Sequence, residues 1–156
     1  MKKLIASLLM GVAISMPTDF SEEYKEIYDT VSDCYKIEVT IDGETNSYEK
    51  ESEKFLTIAK LSLEMLKNSH EMPAFSVSLD NETRQAKEKG VWLEFIFKGI
   101  NTHNDMPFER LLIEVQPDWT GFNIIRYYDG KYDGRCFYID LVDTDMSKLY
   151  DTLINL

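Results

Sequence analysis

The stretch YYDGKYDGRCFYIDL, residues 127–141, spaces its carboxylates in a way that resembles a calcium-binding loop. An EF-hand loop needs oxygen ligands at positions 1, 3, 5 and 12 and a glycine at position 6. Counted from Asp129, aspartates stand at positions 5 and 12 and a glycine at position 6. Lys131, however, puts a cation at position 3, and Asp140 is shorter than the bidentate glutamate that closes such a loop. β-rich runs also flank the stretch where helices are required. The sequence therefore argues against a calcium site, and it predicts no metal ligands.

A β-hairpin accounts for more of these residues. Asp129-Gly130 is a strong signal for a two-residue hairpin turn, and that register sets Arg126 opposite Asp133 as a favourable cross-strand pair. Tyrosines crowd around the tip, and their large rigid rings beside acids suit a protein–protein contact. The alternative is that the rings cover the sheet edge or pack under the last helix. The predicted partner-binding residues are Tyr127, Tyr128, Asp129, Tyr132 and Asp133.

The two histidines occupy different settings. His70 lies near a predicted helix end, where a cation offsets the helix dipole, so a structural role is expected. His103 lies in GINTHNDMP, a loop between two strong strands, next to Asp105. Loops on rigid strands often carry function, although polar loop tips of this kind also occur without any activity. His103 and Asp105 therefore join the predicted partner-binding set, and no catalytic residue is predicted.

Common enzyme signatures do not occur in the sequence. It contains no glycine-rich phosphate loop, no HExxH and no GxSxG. Alternation along the β-rich runs places Trp92, Glu94 and Glu114 on one sheet face, where they could line a pocket with a carboxylate pair. Alternating charges on a wet sheet face are the ordinary explanation. We expect no cofactor, and the sequence favours a non-enzymatic protein.

Charge limits the classes of partner. The chain has 28 acidic and 17 basic residues, a formal net charge of −11, and the acids are spread along its whole length. Nucleic acid binding needs clustered Lys and Arg, so this charge disfavours it and permits a basic protein partner. The alternative is that evenly spread negative charge only keeps the protein soluble.

The first residues, MKKLIASLLMGVAISMP, allow two interpretations. Their apolar positions recur at helical spacing, which predicts a native helix in a cytoplasmic protein. The alternative is a secreted protein in which residues 1–15 are a cleaved signal peptide. No other stretch approaches the ~20 apolar residues of a membrane span. Cys34 and Cys136 are expected to be buried free thiols in the cytoplasm, or a disulfide if the chain is secreted.

The remaining elements follow from periodicity and end signals. A second N-terminal helix follows Pro17, and YKIEVTIDG alternates as a strand that ends at the Asp42-Gly43 turn. Ser52 caps a central helix, and Thr144 caps a closing one. DNETRQAKEKG is either a short polar helix or a loop. Between the central and closing helices lie five β-rich runs: AFSVSL, VWLEFIFK, RLLIEVQ, GFNIIRYY and RCFYIDL.

These elements predict one α+β domain over residues 1–156. We expect a mostly antiparallel sheet of about five or six strands, with two N-terminal helices, one central and one C-terminal helix packed mainly on one face. Size, acidity and the absence of catalytic motifs favour a non-enzymatic binding protein. By analogy of class, it would neutralise a basic partner such as a toxin, as inhibitor and immunity proteins do. The alternative is a small-ligand-binding or hydrolytic domain that uses the open sheet face.

Overall fold

The fold alternates short helices with a large set of strands. The computed structural model describes residues 27, 29–73 and 76–156. The strands are β1 Lys36–Ile41, β2 Glu44–Glu49, β3 Ser69–Met72, β4 Val77–Ser78, β5 Val91–His103, β6 Met106–Val115, β7 Gly121–Tyr127, β8 Gly134–Arg135 and β9 Phe137–Leu141. The helices are α1 Glu53–Leu66, α2 Asp80–Ala86 and α3 Ser147–Leu153, and residues 27 and 29–32 are helical as well.

The strands form one large antiparallel sheet. Seven of them pair in the order β2-β1-β5-β6-β7-β9-β3, and β4 and β8 form a separate two-stranded sheet. The predicted α+β class with an antiparallel sheet is therefore confirmed, but the main sheet has more strands than the five or six expected. The additional strands include β2 and β3, whose sequences ETNSYE and SHEM lack the apolar alternation by which a strand is recognised.

Three hairpins of the described chain share one turn geometry. The turns are Asp42-Gly43, Asn104-Asp105 and Asp129-Gly130, and both residues of each turn have positive φ. The flanking residues pair directly, as in Tyr128 with Lys131. Positive φ at both positions is the mark of the type I′ turn, whose twist matches that of the paired strands. The two turns predicted from Asp-Gly are confirmed, and Asn104-Asp105 adds a third.

One face of the main sheet carries the larger core. Leu93 and Phe95 of β5 point into it, while Phe55 and Ile58 of α1 cover it from the other side. Ser52 caps α1 as predicted, since its hydroxyl accepts a hydrogen bond from the Phe55 backbone N–H at 3.2 Å. α3 and the helical residues before β1 add further core side chains: Ile27, Val31, Met146, Leu149 and Leu153.

The β5–β6 hairpin bends toward this core. Its register shifts between Ile96 and Asn101, and beyond the shift the tip reaches strands that lie far from it in the sheet order. The His103 ring meets Phe137 of β9 edge-on with centroids 4.9 Å apart, and its Nε2 lies 2.7 Å from Oε2 of Glu71 in β3. The bent hairpin therefore closes one end of the core.

The opposite face of the sheet is covered differently. Trp92, Leu112 and Tyr132 form a second buried cluster there, and α2 and the β4–β8 pair belong to the segments that cover it. The prediction that helices pack mainly on one face is therefore only partly met. α2 lies within the stretch that the sequence left undecided between a short helix and a loop.

Several predicted boundaries shift in the structure. Within the run AFSVSL, the described residues 76–79 contain β4, a two-residue strand outside the main sheet. The closing helix begins at Ser147 and not directly after Thr144, and Asp145 accepts a hydrogen bond from the Ser147 N–H at 2.8 Å. His70 lies in β3, paired with Asp140, and not at a helix end.

Some predictions concern residues outside the described part of the chain. The first N-terminal helix, the alternative signal peptide at residues 1–15 and most of the second helix fall there. Among the described residues, no helix has the length and apolar content to cross a membrane. Cys34 and Cys136 are both buried free thiols. Burial raises the pKa of Cys34 to about 12, against a smaller lowering by the Lys50 charge.

Candidate functional site

A buried carboxylate lies at the centre of the second sheet face. Glu94 in β5 is 1% exposed and points away from the main core, because its neighbours Leu93 and Phe95 point into it. A buried charge must be paired to be tolerated. Lys87 places its Nζ 3.2 Å from Oε2 of Glu94, and Nη1 of Arg110 lies 4.0 Å from the same oxygen. The charge of Glu94 is therefore compensated by two cations.

Tyr132 completes the environment of Glu94. Its hydroxyl donates to Oε1 of Glu94 at 2.7 Å, and Lys87 donates to that hydroxyl at 3.4 Å. The Tyr132 N–H donates to Oδ1 of Asp80 at 2.9 Å, and its carbonyl accepts from the Ser78 hydroxyl. Burial, followed by the negative charge of Glu94 and the hydrogen bond to it, raises the pKa of Tyr132. Tyr132 is therefore an anchor, fixed at its backbone and at its hydroxyl.

Rings and guanidinium groups stack around this anchor. Tyr127 meets Tyr132 edge-on, with ring centroids 4.9 Å apart. Arg84 from α2 lies 5.3 Å from the centroid of the Tyr132 ring, and Arg110 from β6 lies 4.7 Å from that of Tyr127. Cation–π contacts of this kind contribute about 0.5–2 kcal/mol each, depending on how far they are desolvated. The stack fixes both tyrosines against the sheet.

Asp80 joins α2 to the hairpin. Its Oδ2 accepts from Nε of Arg84 at 2.8 Å, and its own N–H donates to Oδ1 of Asp133 at 2.7 Å. Arg84 also donates from Nη2 to the Gly130 carbonyl at 3.0 Å. The hydrogen bond from Arg84, and then that from the Tyr132 N–H, hold the pKa of Asp80 below its ordinary value. α2 and the hairpin are thus connected by charged hydrogen bonds as well as by packing.

The hairpin tip beyond this anchor faces solvent. Tyr128 is 39% exposed, and Asp129 and Asp133 are exposed as well. Two clefts border the tip. The first has a volume of about 560 Å³ and the second about 420 Å³. The first is lined by Tyr35, Ile96, Phe97, Glu109, Arg110, Tyr127, Asp129 and Gly130, and the second by Leu79, Asp80, Asn81, Glu82, Lys131 and Asp133.

Acids outnumber bases in the linings of both clefts. The first contains Glu109 and Asp129, and its base, Arg110, is already stacked on Tyr127 and close to Glu94. The second contains three carboxylates, from Asp80, Glu82 and Asp133, against the one ammonium group of Lys131. The exposed tip that carries Tyr128 therefore borders two acid-rich clefts.

The predicted partner-binding residues separate into two groups. Tyr127, Tyr128, Asp129, Tyr132 and Asp133 belong to the β7 hairpin, although Tyr132 is only 3% exposed. His103 and Asp105 belong to the other hairpin, between β5 and β6. His103 is also 3% exposed and is bound to Glu71, whereas Asp105 is exposed in the turn.

The expected Arg126–Asp133 pair is replaced by other contacts. Arg126 donates from Nε to the Arg135 carbonyl at 2.8 Å and from Nη1 to the Pro107 carbonyl at 2.7 Å. Asp133 accepts from the Asp80 N–H instead. The hairpin ladder has one pair, Tyr128 with Lys131, and Gly134, with a φ of +115°, pairs with Ser78 of β4 instead.

The residues of the alternative pocket share a face, as alternation predicted. Trp92 lies directly opposite Glu114, and Glu94 is two residues further along β5. Trp92 is 4% exposed, its indole N–H donates to the Lys89 carbonyl at 2.8 Å, and Glu114 accepts from Gln116 at 2.9 Å. Tyr132 packs in the same cluster as Trp92, so the two separately predicted sets of residues meet at the Tyr132–Glu94 hydrogen bond.

Sequence reasoning did not identify Asp80, Arg84 and Lys87 as part of this site. The i,i+4 spacing of Asp80 and Arg84 is a signal for a helical ion pair and could have favoured the helix there. Lys87, by contrast, reaches Glu94 only after α2 has folded over the sheet. Nothing local in the sequence indicates that contact.

The polar groups of the site satisfy one another. Among the described residues, no buried side-chain nitrogen or oxygen lacks a hydrogen-bond partner. In the same part of the chain, no three His, Cys, Asp or Glu side chains are grouped so that they could hold a metal ion. Comparison of the chain with models of protein families, with curated proteins and with solved structures found no match.

Proposed function

We propose that the protein is a non-enzymatic, acidic binding protein that neutralises a basic protein partner through the tip of the β7 hairpin. The single observation that supports this most strongly is the exposed Tyr128–Asp129 tip, which borders two acid-rich clefts. Inhibitor and immunity proteins that block toxins are the class of protein meant. The partner would place Lys or Arg side chains in the clefts and pack an apolar surface on the Tyr128 ring.

The tip has one turn geometry in the closed hairpin, which lowers the entropic cost of binding. Its type I′ turn is fixed by paired hydrogen bonds between Tyr128 and Lys131, with N···O distances of 2.9 and 3.1 Å. Below it, the Tyr132 anchor fixes the hairpin to Glu94. A preorganised surface loses less conformational freedom on association, and exposed tyrosines are frequent binding hot spots.

Net charge supports the same proposal. The chain carries a formal charge of −11, so its field attracts a basic protein over distances of about a Debye length. Such steering raises the association rate and makes it sensitive to salt. A reading frame for a basic, toxin-like protein beside the gene would be independent support.

The alternative, a ligand-binding or hydrolytic domain on the open sheet face, has weaker support. Tyr132 packs over this face, and both oxygens of Glu94 have hydrogen-bond partners. A substrate would have to displace Tyr132 before it reached Trp92 or Glu94.

Binding measurements on two matched double variants test the proposal. The partner is co-purified at low salt with the tagged chain from cells that make it, identified, and titrated calorimetrically. We expect Tyr128→Ala with Asp129→Asn to weaken binding at least about thirtyfold, as the loss of a hot spot does. Asparagine tolerates the positive φ of position 129, so the turn is preserved.

The control removes the same charge and a similar exposed side chain elsewhere. Leu56→Ala with Glu44→Gln changes one 57% exposed side chain on α1 and one exposed acid on β2. This control should bind within about twofold of the wild type, because surface changes away from hot spots have small effects. Equal weakening by the two double variants would refute a specific role of the tip.

A further inference from the structure

The segments that cover Trp92 form a unit with its own internal bonds. We define the cover as residues 77–89 and 128–135, which contain β4, α2, the hairpin tip and β8. β4 pairs with β8, Tyr132 and Asp133 bond to Asp80, and Arg84 reaches the Gly130 carbonyl. The two segments are about 50 residues apart in sequence, yet they bond to each other at both ends of α2.

The cover is attached to the sheet mainly by polar contacts. Tyr132 and Lys87 both bind Glu94, and the Trp92 indole donates to the Lys89 carbonyl. Apolar burial is small by comparison. Thr83 is the buried residue of α2, while Val77 and Leu79 are 64% and 52% exposed. Tyr132 supplies the large buried side chain.

The sheet beneath is held by a different kind of interaction. Leu93, Phe95, Leu111 and Ile113 in β5 and β6 are all 0% exposed and belong to the main core. Regions with few buried apolar contacts open at lower free energy than such cores, often as contiguous cooperative units. The cover has these properties, and one phenol–carboxylate hydrogen bond lies at its centre.

We propose that residues 77–89 and 128–135 open and close as one unit over the Trp92–Leu112 face, with the Tyr132–Glu94 hydrogen bond as the latch. Opening exposes an apolar floor, formed by Trp92, Leu112 and Ile125, with the Glu94 carboxylate beside it, directly opposite Leu112 in the strand register. This device does not depend on the proposed function. Opening of the cover would nevertheless affect partner binding, because Tyr128, Asp129 and Asp133 all belong to the cover.

Native-state hydrogen exchange of the full chain, followed peptide by peptide, tests this inference. Tyr132→Phe removes the latch and retains the ring. Exchange in 77–89 and in 128–135 should accelerate by the same factor, roughly ten- to a hundredfold, as expected for a lost hydrogen bond to a buried charge. Exchange in β5 and β6 should stay as in the wild type.

Tyr138→Phe is the matched control. It removes the hydrogen bond between the Tyr138 phenol and the Asp140 carboxylate, which lies outside the cover.

Two outcomes would overturn the inference. Acceleration of 128–135 without 77–89 would show that the segments move separately. Equal acceleration of the cover, β5 and β6 would show that only global unfolding occurs. If Tyr132→Phe does not fold, hydrogen exchange of the wild type alone tests the inference. We then expect residues 77–89 and 128–135 to share one opening free energy, lower than that of β5 and β6. Different opening free energies for the two segments, or one equal to that of the strands, would contradict the proposal.

Discussion

At the scale of single residues, the structure depends on the pairing of Glu94. Removing one partner of a buried ion pair typically costs about 3–5 kcal/mol, because the other charge remains buried. Glu94 is 1% exposed and has Tyr132, Lys87 and Arg110 around it. The Glu94 side chain therefore holds together the three segments to which these partners belong. In this protein those segments are the hairpin, the end of α2 and β6.

The ionisation of Tyr132 gives a test at this scale. Its pKa is raised above the ordinary value of 10.0, chiefly by burial and then by Glu94. Neutral Tyr132 therefore contributes its full stability below pH 10, and this contribution is lost as the pH rises through the raised pKa of the folded state. We expect Tyr132 to stay neutral in the folded protein when the pH reaches the ordinary phenol pKa of 10.0.

Phenolate absorbance measures this directly. Folded wild type and folded Tyr132→Phe should show the same absorbance amplitude near pH 10, because Tyr132 stays neutral in the wild type and the variant has no phenol at that position. As each protein unfolds at higher pH, the wild type should gain one phenolate more than the variant does. An amplitude lower by one phenol in folded Tyr132→Phe would show that Tyr132 titrates normally and is not buried against Glu94.

At the scale of elements, the hairpin turns set the register that brings these residues together. Gly130 has a φ of +80°, and a Cβ built there meets no atom within 4 Å, so only backbone conformation opposes a side chain. A left-handed L-residue costs about 1–2 kcal/mol. Gly130→Ala should therefore lower the free energy of unfolding by about 1 kcal/mol in a urea titration.

Gly99 provides the control for this prediction. A Cβ at Gly99 also meets nothing within 4 Å, and its φ lies outside the left-handed region. Gly99→Ala should leave stability unchanged or raise it slightly, since alanine restricts the unfolded chain. If both variants lose the same stability, the turn conformation at Gly130 is not what the hairpin requires.

The same elements show what sequence can and cannot predict. β5, β6, β7 and β9 follow runs with strong apolar or alternating character, and α1 begins at the predicted Ser52 cap. β2 is polar and mostly exposed, so no local preference marks it, and it forms because the Asp42-Gly43 turn returns the chain along β1. Local periodicity therefore predicts the strands that are strongly buried, but it does not predict polar strands at the edge of the sheet.

The site was predictable in its parts but not in its assembly. Alternation correctly put Trp92, Glu94 and Glu114 on one face, and Asp129-Gly130 correctly gave the turn. The contact of Tyr132 with Glu94 spans 38 residues and depends on the pairing of β8 with β4 and on the placement of α2. Such long-range contacts leave no pattern in a single sequence.

At the scale of the whole molecule, the two sheet faces differ in what stabilises them. One is a continuous apolar core between the sheet and α1 and α3, and the other is a small cluster beneath a polar cover. The surface residues proposed to bind a partner lie on the less apolar side. The apolar core that stabilises the fold therefore lies on one face of the sheet, and the proposed binding surface lies on the other.

Site-specific photo-crosslinking determines whether a basic protein binds at the hairpin tip. A photoreactive amino acid replaces Tyr128 in one variant and Leu56, 57% exposed on α1, in another, and both are irradiated in cells that naturally make the chain. We predict a dominant product from position 128 alone, in which mass spectrometry identifies a basic protein with a pI above about 9. Equal yields from the two positions, or an acidic protein attached at position 128, would contradict this prediction.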